Sequence, residues 1–335
     1  MVSQEEYLAL RERAGILERS DRGRLRLTGA DRRSYLQGLL TNDIEALGAG
    51  TGCYAALLTA QGRMVSDMRV LETGEEILLD LPLTFTPRIA DHLEQFIFSE
   101  DVVVEDVTAA LFEIGVYGPQ SASVVAAATA GANDSGASEL PAAQLAEMAV
   151  FANVRWKFNG APALVVSSDE IGVRGFDLFV DVSAGPKLVE SLVAAGGAKV
   201  GAETAEICRV EAGRPVFGVD MDEDTIPLEA GITDRAISLT KGCYVGQEVI
   251  IRVLHRGHGR VARRLVGLKL ESATLPSRGA VVTAGEREIG RITSAVLSPA
   301  AGSIALGYVH RDFTEPGKCV TVGDTGGTVV ATPFV

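Results

Sequence analysis

The chain has 335 residues, of which 47% are hydrophobic and 22% charged, and a formal net charge of -13. That length gives room for two or three domains with a sizeable core, and the composition is ordinary for a globular protein. The acidic balance argues against non-specific nucleic-acid binding, and no apolar run approaches the ~20 residues of a membrane span.

The charge is uneven. From His255 onward there are ten Lys/Arg and six Asp/Glu, a net of +4, so the remainder carries -17. An acidic body with a basic C-terminal portion suits a small anionic ligand better than DNA. Cys53, Cys208, Cys243 and Cys319 lie far apart and form no CxxC pair, so no zinc site, redox dithiol or disulfide framework is signalled. The expectation is a cytoplasmic protein.

In chain order, Glu5 to Arg13 is predicted as a helix and Leu25 to Leu27 as a short strand. Thr28 is predicted to cap a helix whose Tyr35, Leu36, Leu39 and Leu40 share one face. Tyr54–Thr59 and Met64–Leu71 read as strands around the AQGR turn. Ile77 to Ile97 reads as strand, turn and amphipathic helix, and Leu178 to Gly196 repeats that plan. Each copy has an aspartate in the strand (Asp80, Asp181) and a proline near the helix start (Pro87, Pro186), where the first-turn N–H has no partner to lose. These read as two related halves of one α+β body. Ala126 to Gln144, rich in Ala, Gly and Ser, reads as a helix end running into a loop. After about residue 255, short strands punctuated by Gly, Pro and Ser predict a small β-barrel or sandwich. The expected division is an α+β body over 1–250 and a barrel over 251–335.

The segment KGCYVGQEVIIR, Lys241 to Arg252, reads as a glycine-freed turn leading into a β-branched strand at Val249–Ile251. Gly242 and Gly246 permit close backbone approach to a ligand. A thiol gains reactivity where positive charge stabilises its thiolate, and Lys241, Arg252, His255 and Arg256 are nearby in sequence. A small residue packed at a turn explains Cys243 equally well from local sequence.

Four blocks in order resemble the folate-binding aminomethyltransferase (GcvT-like) superfamily. They are LTGADRRSYLQGLLTNDI with TAQGRMVSDMRV, then IGVRGFDLFV, then ICRVEAGRPVFGVDMDEDTIPLEAGI, and last the barrel-like tail with GRITSA and ALGYV. Within it, KGCYVGQE resembles the signature of the YgfZ family. The resemblance implies an α+β fold of ferredoxin-like units with a C-terminal β-barrel around a central hole that holds tetrahydrofolate. It also implies a role in assembly or repair of iron–sulfur clusters in client enzymes, including one that modifies tRNA. A tetrahydrofolate-dependent one-carbon (aminomethyl) transferase and a ligand-free scaffold are the rival readings.

By the same resemblance, Cys243 and Asp67 are the candidate chemical residues. Asp67 takes the second position of the enzyme's aspartate pair, near the reactive folate nitrogen, where a carboxylate handles a proton; Ser66 takes the first. Asp177 matches a glutamate that grips the pterin, whose N–H edge a carboxylate can accept. The bland alternatives are strand carboxylates facing water. Arg209 and Glu211 either line the folate hole or form an ion pair that fixes a hairpin. Lys241, Tyr244 and Gln247 complete the expected folate-binding set. The acidic run Asp220, Asp222, Glu223, Asp224 lacks the pattern of a calcium loop and reads as structural, and no metal is expected. The basic segment Arg252 to Arg264 suits a polyglutamate tail, with a tRNA contact as the other charged option and a solvated strand pair as the plain one.

Overall fold

The computed structural model describes residues 3–130, 140–255, 257 and 259–335. Residues 131–139 of the Ala/Gly/Ser-rich stretch and Arg256 and His258 of the basic segment lie outside the described residues.

Two sheets and a barrel make up the architecture. The first sheet has five strands in the order Thr51–Leu58, Met64–Glu72, Ile77–Pro82, Arg22–Thr28, Val103–Asp106. The second has six, in the order Ala198–Lys199, Gly15–Glu18, Leu111–Tyr117, Gly175–Asp181, Ala161–Ser168, Asn153–Phe158. The strands Arg263–Leu270, Gly302–His310, Arg287–Ser298, Val281–Ala284, Cys319–Val322 and Thr325–Val330 close into a barrel. The predicted C-terminal β unit is therefore a barrel, and the α+β class holds.

The strand–turn–helix plan occurs twice. Ile77–Pro82 passes through a short 3-10 turn into helix Thr86–Glu94, and Gly175–Asp181 does the same into Gly185–Ala194. Pro87 and Pro186 sit in the first helical turns, where a missing N–H costs nothing.

Side-chain alternation explains how the sheets face each other. In Met64–Glu72, Met68 and Val70 join the cluster under the helices, while Asp67, Arg69 and Leu71 take the other face. In Gly175–Asp181, Phe176, Leu178 and Val180 pack outward under helices, leaving Asp177 and Phe179 inward. Each strand thus carries an apolar set for its own helices and a mixed set for the opposite sheet.

Three local expectations are corrected. Thr28 ends a strand, and the helix starts at Arg32 with Asp31 in the cap position; Thr28 pairs with Val103 across the sheet edge instead. Val249–Ile251 is not a strand but part of helix Gln247–His255. Ile250 is wholly buried in the central cluster, where Val253 and Leu254 pack beside it. That i, i+3, i+4 spacing overrides β-branched propensity. The basic segment consequently begins as the end of a helix, not as a strand pair.

Candidate functional site

Asp67 and Arg69 are two residues apart on a strand buried along its whole length. Arg69 is 0% exposed and ion-paired with Asp80, Glu113 and Asp177. Asp80 belongs to the first sheet, Glu113 and Asp177 to the second, so one guanidinium bridges both. Arg22 pairs with Asp80 at 2.7 Å and Arg24 with Glu113 at 3.2 Å. Tyr117 donates its hydroxyl to Asp177. Gly115 leaves room for that ring, because a Cβ there would stand 2.2 Å from it. Burial works against the charge of Asp177, but the guanidiniums of Arg69 and Arg19 outweigh it and hold the carboxyl below its usual range. Asp177 thus has protein partners on both oxygens.

Beside this layer, Tyr54 donates a 2.7 Å hydrogen bond to Asp67 Oδ2. Ser66 is fully buried, its hydroxyl turned onto the Asp67 carbonyl oxygen. Burial, the largest influence, pushes the Asp67 carboxyl up, and the charge of Glu170 adds to it. Arg22 and the Tyr54 hydrogen bond pull the other way without cancelling it. Burial also lifts Tyr54 well above its usual value, so it remains a neutral donor.

Arg235 lies over the Tyr54 ring, 4.9 Å from its centroid, and is held by Asp169 at 3.3 Å and Glu170 at 3.2 Å. Burial opposes the charge of Glu170, yet Arg235, Arg69, Arg22 and Arg19 together keep it ionised below the usual range. The environment therefore drives two neighbouring carboxyls apart: Asp67 toward the neutral acid, Glu170 toward the anion. Such divergence marks sites built for proton handling. Tyr244 shares the central cluster with Tyr54, and its buried hydroxyl has no hydrogen-bond partner among the described residues. A buried orphan hydroxyl costs free energy unless a ligand or water meets it. A pocket of about 480 Å³ opens next to this region, lined in part by Arg22, Phe85, Glu170, Arg209 and Phe217.

The KGCYVGQE segment wraps the end of helix Arg32–Leu39. Lys241 donates its ammonium hydrogens to the carbonyls of Gln37, Leu40 and Asn42 at 2.6–2.8 Å. Burial pulls its amine down to about 8. All three donors serve the protein itself, so Lys241 anchors the turn. Gln247 reaches the Gly242 carbonyl at a long 3.4 Å. Cys243 is exposed at the tip.

Arg209 and Glu211 point to different places from one helix. Arg209 donates to Glu206, Asp220 and Ser294, tying the helix to the acidic loop and the barrel. Glu211 is 0% exposed and accepts from Tyr7, Arg11 and Ser298. The two do not pair with each other: Arg209 pairs with Glu206 and Asp220 and Glu211 with Arg11, and they stand on helix Ala202–Glu211, not on a hairpin. In the acidic run, Asp220 is buried under Arg209, Thr293 and Ser294, Asp222 bonds Thr225, Glu223 pairs with Arg88 and Asp224 with Arg63. Among the described residues no cluster is suited to a metal ion.

Residues 1–241 match the GCVT N-terminal domain, and residues 263–335 match the glycine cleavage T-protein C-terminal barrel domain. The chain belongs to the glycine cleavage T-protein family. Its relatives include the aminomethyltransferase of Rubrobacter xylanophilus, 30% identical over 98% of this chain and 85% of that one. The aminomethyltransferase of Streptomyces avermitilis is 29% identical over 98% and 88%. A chloroplastic putative transferase of Arabidopsis thaliana is 28% identical over 96% of this chain and 71% of its own. The crystal structure of aminomethyltransferase T from Bartonella henselae superposes with a TM-score of 0.85, covering 99% of this chain and 89% of that one at 23% identity. That likeness fixes the fold. No described helix is long and apolar enough to cross a membrane.

Within this family frame, Asp67, Asp177 and Tyr244 converge on the space between the sheets, Arg209 lines the adjoining pocket, and Glu211 turns toward Ser298 of the barrel. Sequence reasoning passes over Tyr54, Glu170 and Arg235. Tyr54 is legible only as a strand residue, and its diagonal relation to Asp67 comes from pairing of the two strands, in which Ala56 opposes Asp67.

Proposed function

We propose that this protein binds tetrahydrofolate between its two sheets and carries out one-carbon transfer of the aminomethyltransferase kind. The observation that carries the reading is the Tyr54–Asp67 pair beside an ionised Glu170. Tetrahydrofolate supplies a nucleophilic ring nitrogen that accepts and releases a one-carbon unit. The chain's own groups handle the proton. With Oδ2 accepting from Tyr54, a neutral Asp67 offers its other oxygen as a donor, and on ionising it becomes an acceptor. Glu170, fixed by Arg235, keeps a second negative charge nearby and so favours the protonated form of Asp67. The orphan Tyr244 hydroxyl is available to a polar ligand edge. Asp177 acts mainly through Arg69, as a brace behind the site. The full-length kinship with aminomethyltransferases supports this reading.

A second reading is a tetrahydrofolate-binding accessory protein of the YgfZ type, serving iron–sulfur enzymes of the cytoplasm. It is favoured by the exposed thiol of Cys243 on an anchored glycine turn and by Ser66 standing where the enzymes' first aspartate is expected. One cysteine does not hold a cluster alone, so its role would be a thiol contact with a client.

Titration calorimetry with tetrahydrofolate tests what the readings share, and turnover of an aminomethyl donor separates them. Binding with turnover that Asp67→Asn abolishes supports the transferase. Binding without turnover, joined to loss of client cluster activity in Cys243→Ala, supports the accessory protein. Absence of binding sinks both and leaves a scaffold.

A further inference from the structure

The two strand–turn–helix units part ways after the helix. In the second unit, Gly196 and Gly197 lead into edge strand Ala198–Lys199, and helix Gln4–Glu12 packs against it. There Glu6 accepts from the Gly201 N–H and the Thr204 hydroxyl, closing that edge. In the first unit, the helix leads through Phe96 and Phe98 into edge strand Val103–Asp106, which pairs on one side only. Phe98 is 83% exposed, Val103 59% and Phe96 37%. Three large apolar side chains left exposed within eight residues of chain point to an interaction site. Helix Thr86–Glu94 packs against this strand, but among the described residues its outer backbone edge is unpaired and open to another strand.

The charge around it is one-sided. From Asp91 to Asp106 there are six carboxylates, Asp91, Glu94, Glu100, Asp101, Glu105 and Asp106, and no lysine or arginine. Glu105 faces solvent and, among the described residues, is ion-paired with Arg26 alone, at 3.2 Å. Glu100 is turned inward onto the Phe98 and Ser99 N–H groups, shaping the loop that holds Phe98 out. An anionic, aromatic-centred edge repels acidic surfaces and nucleic acid alike, and it repels a second copy of this chain, whose net charge is -13.

We propose that Val103–Asp106 with Phe96 and Phe98 is a docking edge for a basic, apolar-bearing segment of a partner protein, added as a further strand. Strand addition draws affinity from backbone hydrogen bonds and specificity from alternate side chains. Val103 and Glu105 share one face of this strand, opposite Val104, which packs under helix Thr86–Glu94, so an incoming strand meets them with an aliphatic and a basic side chain set two residues apart on one face.

The probe is a synthetic peptide repeating valine-threonine-lysine-threonine, which sets valine and lysine on one face, compared with one carrying glutamate in place of lysine, each added to the full chain. Hydrogen exchange is read at the amides of residues 98–106, and affinity by fluorescence anisotropy. The expected result is slowed exchange at the edge strand with the lysine peptide alone, and affinity about tenfold weaker for both Phe98→Ser and Glu105→Lys. Equal binding of the two peptides, protection elsewhere, or affinity unmoved by both variants would overturn the proposal. So would a concentration-dependent dimer in sedimentation that Phe98→Ser dissolves, because the edge would then belong to a second copy.

Discussion

Tyr54 and Asp67 meet diagonally across two neighbouring strands, hydroxyl to carboxyl oxygen at 2.7 Å, in a place where neither is screened by bulk water. A phenol that stays protonated beside a carboxyl pushed toward neutrality leaves one oxygen of Asp67 free to give or take a proton. The pair is completed by Arg235 above the Tyr54 ring and by Glu170 behind it.

Asp67→Asn keeps an acceptor for Tyr54 but removes the titratable proton. Transfer turnover is expected to fall by at least about 100-fold, while tetrahydrofolate affinity changes far less. Stability should move the other way. The folded carboxyl binds its proton more tightly than the unfolded one, whose ordinary value is 3.8, so native stability declines as pH rises from there through the folded value. The variant lacks that slope and is expected to be more stable than the native chain at pH 7. Urea denaturation at pH 4 and pH 7 measures both quantities.

Asp177→Asn probes the brace. Its folded carboxyl titrates below the ordinary 3.8, so the stability it contributes is present above that value and is lost as pH falls through the folded value. At pH 7 the variant is expected to unfold about 2–3 kcal/mol more easily, since Arg69 loses one of three buried anions. The gap between variant and native chain should close on acidification below about pH 4. A gap that persists at low pH would assign the loss to packing rather than charge.

The thiols separate by burial. Cys243 and Cys319 are exposed, whereas Cys208 is buried and Cys53 half-buried, and burial pushes both of these thiols up to about 12. A disulfide-exchange reagent should therefore titrate Cys243 and Cys319 quickly in the folded chain, and the other two only after denaturation. Cys243→Ala should remove one fast equivalent and leave the slow phase unchanged.

Gly246 holds φ at +84°, and a Cβ there would stand 2.5 Å from the Thr59 carbonyl oxygen. Gly246→Ala is expected to cost about 1–3 kcal/mol and to displace the turn that Lys241 anchors. The readouts are a lowered denaturation midpoint and an altered labelling rate at Cys243.

Much of the architecture is legible in the sequence. The alternation in Met64–Leu71, the repeated strand–turn–helix plan with Pro87 and Pro186, and the short glycine-punctuated strands after residue 255 are local patterns, and local patterns are what periodicity and turn chemistry report. Helix Gln247–His255 escapes a sequence reading because β-branched residues satisfy strand and buried-helix patterns alike in so short a run, and only burial of Ile250 against the central cluster decides between them. Pairing is beyond reach. Strand Gly15–Glu18 leaves its neighbour Arg22–Thr28 to join the other sheet, between Leu111–Tyr117 and Ala198–Lys199, and no local signal carries that choice. The same holds for the site. The sequence by itself determined which carboxylates, arginines and thiols exist and which face of its strand each takes. Tertiary structure alone decided that Asp177 is enclosed by Arg69 and Tyr117, that Lys241 caps a helix, and that Tyr54, Glu170 and Arg235 gather around Asp67. Partners separated by tens to hundreds of residues meet only when two sheets close on each other, and that closure sets the charge states, because burial and neighbouring charge govern them.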